Sequence, residues 1–257
     1  MKNLKIFLDN KASEYNQPYF INGDPISIPH QFTRKEDIEI SGFLTAIIAW
    51  GRRDQIIKSA NYLMELMENN PYDFVINAGP TELKKLTYFY YRTFNADDLL
   101  FLVEALKNIY NNYGGLEQLA IEGFAQRQNI KDIILNIRGH LLQTEHLKRS
   151  TKHLANPGKG SAAKRINMFL RWMVRDDENG VDFGLWKTIP PSALLCPLDV
   201  HSGRTARKLG LLLLRKQNDW KAVEELTFYL RKLDHDDPVV YDYALFGMGV
   251  FEEPIMR

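Results

Sequence analysis

The sequence predicts an all-helical protein. Three observations carry this expectation. Apolar residues recur at helical spacing in successive segments, capping residues precede several of them, and sustained strand alternation is absent. Residues 38–50 place Ile40, Phe43, Leu44, Ile47 and Ile48 on one face, and Gly51 ends the run. Asp54 is positioned to cap the next helix, whose apolar face is Ile56, Ile57, Tyr62, Leu63, Leu66 and Met67. Asn95, with Asp98 three residues on, reads as a capping box before the apolar run 99–103. Helical patterning returns over 130–147 and 219–233. Asp237 followed by Pro238 marks a further helix start, with an end near Gly247 or Gly249. Residues 19–29, with Gly23, Pro25 and Pro29, read as an extended ordered loop, and 179–191 as an inserted loop whose aromatics pack on the body.

Bulk properties narrow the function classes. The chain is 45% apolar and 25% charged, as expected of a globular protein, and its 257 residues suffice for one large domain or two lobes. No apolar run approaches the ~18 residues of a membrane span, and no signal-peptide pattern stands at the N-terminus. The single cysteine, Cys196, excludes an internal disulfide, a cysteine-rich zinc site and an iron–sulfur cluster. A cytoplasmic protein without a membrane partner is expected. The net charge of +1 gives no general attraction to nucleic acid. Locally, however, residues 146–175 hold eight basic residues (Lys148, Arg149, Lys152, Lys159, Lys164, Arg165, Arg171 and Arg175) and no acid. Such a stripe is either a phosphate-binding face or a solvated helix surface.

Two motifs carry chemistry. In the first, Asn156-Pro157-Gly158-Lys159-Gly160-Ser161 forms a tight hairpin before a basic helix over about 162–174. Glycines let a backbone approach a phosphate, a helix N-terminus adds positive potential, and Ser161 is a candidate cap. An ordinary helix–helix turn accounts for the same residues. In the second, Pro197-Leu198-Asp199-Val200-His201 leads into Arg204 and Lys208-Leu209-Gly210-Leu211. Asp199 reads as a helix N-cap, a role compatible with catalysis because capping orients the carboxylate.

Together the two motifs resemble the signature of the helix-hairpin-helix DNA glycosylase superfamily, which includes endonuclease III, the adenine glycosylases and the 8-oxoguanine glycosylases. The stretch Tyr241-Asp242-Tyr243-Ala244-Leu245-Phe246-Gly247 is similar to the closing helix of the oxoguanine branch, and the whole pattern is close to an uncharacterised bacterial branch. The resemblance implies a two-lobed helical bundle, with residues 1–35 as an N-terminal extension and 36–257 as one domain. Its lobes would be about 36–125 and 126–257, with the N-terminal segment a candidate to complete the second. It implies a monomer that binds double-stranded DNA, flips a damaged or mispaired base into a pocket between the lobes and cleaves the N-glycosidic bond. Asp199 would stabilise the positive charge developing on the sugar. Gly158, Lys159, Gly160 and Ser161 would grip a phosphate, with Arg165, Arg171, Arg204 and Lys208 adding charge along the DNA path. No cofactor is implied, although a monovalent cation at the hairpin is allowed. A catalytically silent DNA binder, or a helical interaction module that retains the fold, is the alternative. The glycosylase reading requires Asp199 to face the groove without being neutralised by an internal ion pair.

The sequence departs from the family pattern in several places. Bifunctional members carry a nucleophilic lysine where this chain has Ala162. Lys164 is the nearest candidate, yet two residues along an ideal helix is a rotation of about 200°. Three readings stay open: Asp199 and water, Lys164 through an altered helix register, or no catalysis. Asp199 lies 37 residues after Ala162, roughly twice the family spacing, with the excess in the 179–191 insertion. Gly51 stands where endonuclease III relatives have a wedge side chain, and Trp50, Arg52 or Arg53 could replace it. The aromatic cluster Tyr88, Phe89, Tyr90, Tyr91 and Phe94 suits a core or a base-stacking platform. His201 supports a helix start, and His235-Asp236-Asp237 suits helix capping better than a metal.

Overall fold

Helix follows helix through residues 2–252, the residues that the structure, a computed structural model, describes. The last five residues of the expected domain lie outside them. Among the described residues there are thirteen α-helices joined by short turns, and pairing of extended backbone is limited to isolated bridges such as Ser161 with Asp219. In order the helices are α1 (Lys2–Tyr15), α2 (Tyr19–Asn22), α3 (Lys35–Ile48), α4 (Arg53–Leu66), α5 (Pro71–Asn77), α6 (Pro80–Lys85), α7 (Ala96–Asn112), α8 (Leu116–Arg127), α9 (Ile130–Leu141), α10 (Lys164–Val174), α11 (Val200–Lys208), α12 (Trp220–Arg231) and α13 (Tyr241–Gly247). No helix is long and apolar enough to cross a membrane among the described residues.

The chain divides into two units. One is Met1–Phe20 with Asn156–Arg257, and the other is Ile21–Ala155. The expected division near residue 125 is therefore displaced by thirty residues, because α8 and α9 cannot be parted. A Cβ at Gly123 would stand 2.8 Å from the Ile133 Cα, so only glycine lets the two helices pack this closely. The turn between them uses Gln128 in the left-handed region (φ 54°) and Asn129, whose side chain accepts the Asp132 N–H at 2.9 Å. The expected extension 1–35 is split as well. Its first part, α1, packs against α13, burying Leu8 and Tyr15 beside Tyr241 and Gly247. Its second part joins the other unit through the buried Ile26 and Ile28.

The Ile21–Ala155 unit is organised around α3, which is buried on nearly every side from Asp37 to Ile48. The two buried carboxylates of α3 are satisfied. Tyr110 donates its hydroxyl to Glu39 at 2.6 Å, and the Tyr72 N–H donates to Asp37 at 2.8 Å. The Asn95–Asp98 capping box forms as expected at the start of α7. Asp98 also accepts from Ser150 Oγ and pairs with Arg149 and His153. Phe89, Tyr91 and Phe94 are core residues, whereas Tyr88 and Tyr90 are exposed. Trp50 is half-buried, stacks on His153 and receives at its carbonyl the Tyr91 hydroxyl.

Other local expectations need correction. Residues 19–29 are not extended: α2 and a 3-10 turn over Pro25–Ser27 occupy them, the latter capped by Asp24. Asp54 lies inside α4 and pairs with Arg52 instead of capping. The 130–147 pattern ends as a helix at Leu141. Asp237 makes no cap bond because Arg175 takes its carboxylate, and only a 3-10 turn, Pro238–Val240, separates it from α13. The 179–191 insertion does pack on the body. Trp186 is fully buried edge-on against Phe169, and its backbone N–H donates to the Met173 carbonyl at 2.9 Å.

Candidate active site

The hairpin closes on itself. Asn156 caps a 3-10 turn over Pro157–Lys159, and Gly160 leaves it at φ 87°, a conformation that favours glycine. The Lys159 and Ser161 N–H groups donate to the Asn156 carbonyl, and the Gly160 N–H to Pro157. The expectation that the Gly160 N–H presents itself to a phosphate is thereby corrected, since the turn uses that donor internally. What the turn offers to solvent is the exposed Gly158, Lys159, Gly160 and Ser161 surface with the Lys159 side chain.

The following helix starts two residues later than expected. Ala163 is left-handed (φ 50°, ψ 34°) and 3% exposed, so α10 begins at Lys164. A non-glycine residue there costs about 1 kcal/mol or more and needs support. Ser161 Oγ accepts the Ala163 N–H at 3.2 Å, while Asn167 Nδ2 donates to the Ala162 carbonyl at 3.1 Å. Ser161 therefore props the turn before the helix rather than capping the helix itself. Because Ala162 is not helical, the rotation expected between it and Lys164 does not apply.

Asp199 is the N-cap of α11. Its Oδ1 accepts the His201 and Ser202 N–H groups at 2.8 and 3.0 Å, and Ser202 Oγ accepts the Asp199 N–H at 2.9 Å. The Asp199 carbonyl receives Asn218 Nδ2 at 2.6 Å. With Oδ1 occupied by the cap, Oδ2 stands 3.9 Å from Lys164 Nζ, and the two side chains are 23% and 26% exposed. Asp199 is thus in an ion pair, but a loose one beyond hydrogen-bond length, and its partner is the candidate nucleophile. Met168 Sδ lies 3.6 Å from the same ammonium.

A charged layer lies behind this pair. Arg171 on α10 donates to Asp182 at 3.2 Å and pairs with Asp242 on α13, and its guanidinium sits 4.3 Å over the Tyr243 ring. Arg175 binds Asp177, Asp182 and Asp237. Burial, reinforced by Asp199 and opposed by Arg171 and Lys164, pushes the Asp242 carboxyl up to about 6. Burial and the Asp242 carboxylate raise the Cys196 thiol, which removes it as a thiolate nucleophile.

A family model described as a protein of unknown function (DUF2400) matches residues 24–251. The chain belongs to the DUF2400 family. Neither a curated protein nor a solved structure matches it.

In this DUF2400 chain the basic stripe is dismantled. Arg171 and Arg175 are core residues, and Arg149 pairs with Asp97 and Asp98. The expected place of Arg171 on a DNA path is corrected accordingly. Lys148, Lys152 and Lys159 remain exposed. Arg165 is half-buried, which lowers its guanidinium pKa to about 10 and leaves it cationic at neutral pH. Arg204 and Lys208 are exposed on α11. His201 is tied through Nδ1 to the Gly249 carbonyl at 3.1 Å, a structural contact. At 234–237 the Asp234 carboxylate accepts the Asp236 and Asp237 N–H groups, while His235 and Asp236 face solvent. Sequence reasoning missed Asn218 and Arg171–Asp242. Nothing local distinguishes Asn218, and the acids that turn Arg171 inward lie eleven and seventy-one residues away.

Proposed function

We propose that this protein is a DNA N-glycosylase of the base-excision type, acting on a damaged or mispaired base in duplex DNA with Lys164 as nucleophile and Asp199 as its charged partner. The observation that carries the reading is the approach of Lys164 Nζ to 3.9 Å from Asp199 Oδ2. The pair is only partly exposed, so its field is less screened than in open water. The Lys164 ammonium first loses a proton to water, and the Asp199 carboxylate stays charged beside it. The amine then attacks the sugar C1′, the C1′–N bond breaks, and its electron pair leaves with the base, which gains a proton. The cap bonds to Oδ1 keep the other oxygen directed at the charge that develops on the sugar.

The test is borohydride trapping with an abasic-site duplex, where the Lys164 amine condenses with the C1′ aldehyde, water leaves and the imine is reduced. A covalent adduct is expected from the intact protein and none from Lys164→Ala. Base release from a lesion duplex without an adduct would reassign the nucleophile to water. Neither product from any of a panel of lesions would refute the reading. A second reading, a helical interaction module without DNA, is favoured by the burial of Arg171 and Arg175. It predicts no salt-dependent affinity for duplex DNA.

A further inference from the structure

The segment between α11 and α12 exposes Leu213 and Leu214, which are 64% and 81% accessible. Scattered surface leucines are ordinary. These two are adjacent and held in place from several directions. Both of their N–H groups donate to Glu225 Oε1, at 2.7 and 2.8 Å. Arg207 donates to the Arg215 carbonyl at 3.2 Å and to Asn218 Oδ1 at 2.8 Å, and Asn218 in turn grips the Asp199 carbonyl. At the far end, the Trp220 N–H donates to the Gly160 carbonyl at 3.0 Å and Asp219 bridges to Ser161. The leucine loop is thus bonded directly to both the hairpin and the Asp199 cap. Val200, next to Asp199, is also 65% exposed.

The surroundings select a partner. Residues 200–218 contain Arg204, Arg207, Lys208, Arg215 and Lys216 and no acid. Arg204, Lys208 and Lys216 are exposed. Two leucines are far too small a patch for a stable protein interface, which needs about 800 Å² from each partner. A rigid apolar tip within a cationic rim suits a stacked polyanion, since proteins that kink duplexes insert apolar side chains between base steps while cations hold the flanking phosphates.

We infer that Leu213 and Leu214 form a wedge that enters a duplex base step beside the nucleotide held at Lys164 and Asp199, with Arg204, Lys208 and Lys216 meeting the flanking phosphates. The inference rests on the glycosylase reading and adds the element that distorts the DNA.

The experiment uses the full chain and a short duplex carrying an abasic site next to 2-aminopurine. Binding is read by fluorescence, and the borohydride adduct is measured on the same samples. The intact protein is expected to prefer this duplex over an unmodified one and to raise the fluorescence by unstacking the probe. In Leu213→Ser/Leu214→Ser the preference should fall about tenfold or more, the least that burying one leucine side chain implies. The fluorescence rise should vanish, while affinity for the unmodified duplex and its salt dependence persist. Leu213→Met/Leu214→Met, apolar and of similar volume, should restore both. Unchanged preference and fluorescence in the serine variant, with the adduct still formed, overturns the wedge alone. Failure of the methionine variant to restore them also overturns it. Absence of DNA binding by the intact protein overturns the wedge and the glycosylase reading together.

Discussion

Asp242 sets two opposing effects against each other, and pH can decide between them. Its carboxylate pairs with Arg171, which favours ionisation, but it is buried, which does not. The balance places its pKa at about 6, against an ordinary 3.8, so burial outweighs the ion pair. An acid with a raised folded-state pKa binds its proton more tightly in the native protein than in the unfolded chain. Its contribution is therefore unfavourable above pH 6, and stability is recovered as pH falls through 6 towards 3.8. The whole window is worth about 3 kcal/mol, of which about 1 kcal/mol falls between pH 7 and pH 5. Other carboxylates move the opposite way. Asp132 and Asp219 are held low by Arg127 and Arg215 and cost stability when protonated. The measurement is therefore a difference, the urea-unfolding free energy of the natural protein minus that of Asp242→Asn, at each pH. Loss of the Arg171 partner lowers the variant's stability at both pH values, so only the change with pH is diagnostic. The difference should rise by about 1 kcal/mol on going from pH 7 to pH 5. A flat difference would show that Asp242 does not titrate there. A falling one would show that Arg171 outweighs burial, and would refute the reasoning.

Two further variants separate structure from chemistry. Asp199→Ala should lose about 1 kcal/mol of stability with the α11 cap, whereas Asp199→Asn keeps a capping oxygen and should stay within a few tenths in urea unfolding. Both should abolish base release, and an Asn variant as unstable as the Ala variant would contradict the assigned cap. Trp186→Ala, in the 179–191 insertion, should cost about 3–5 kcal/mol because the indole is fully buried on Phe169. A cost below about 1 kcal/mol in the same assay would mean that the insertion is a dispensable surface loop.

The helices were legible where their signals are local. The Asn95–Asp98 box, the Asp199 cap and the apolar faces of α3 and α7 depend on neighbours within a turn or two, and sequence reasoning reached all of them. The failures share a cause in distance. Arg171 and Arg175 look like surface cations beside their neighbours in sequence, and only Asp182, Asp237 and Asp242 draw them inward. Asp237 loses its expected capping role to the same network. The misplaced start of α10 has a different cause. A helical wheel fixes relative directions only after the first helical residue is known, and alanine gives no sign of a left-handed turn. The turn at Ala163 is instead imposed by its neighbours: Ser161 holds its N–H, and Asn167 holds the carbonyl before it. Both polar side chains lie within five residues of Ala163, so the shifted register is a local property of this hairpin. That locality makes the Lys164–Asp199 approach a consequence of chain geometry on the lysine side, with the α11 cap supplying the other half.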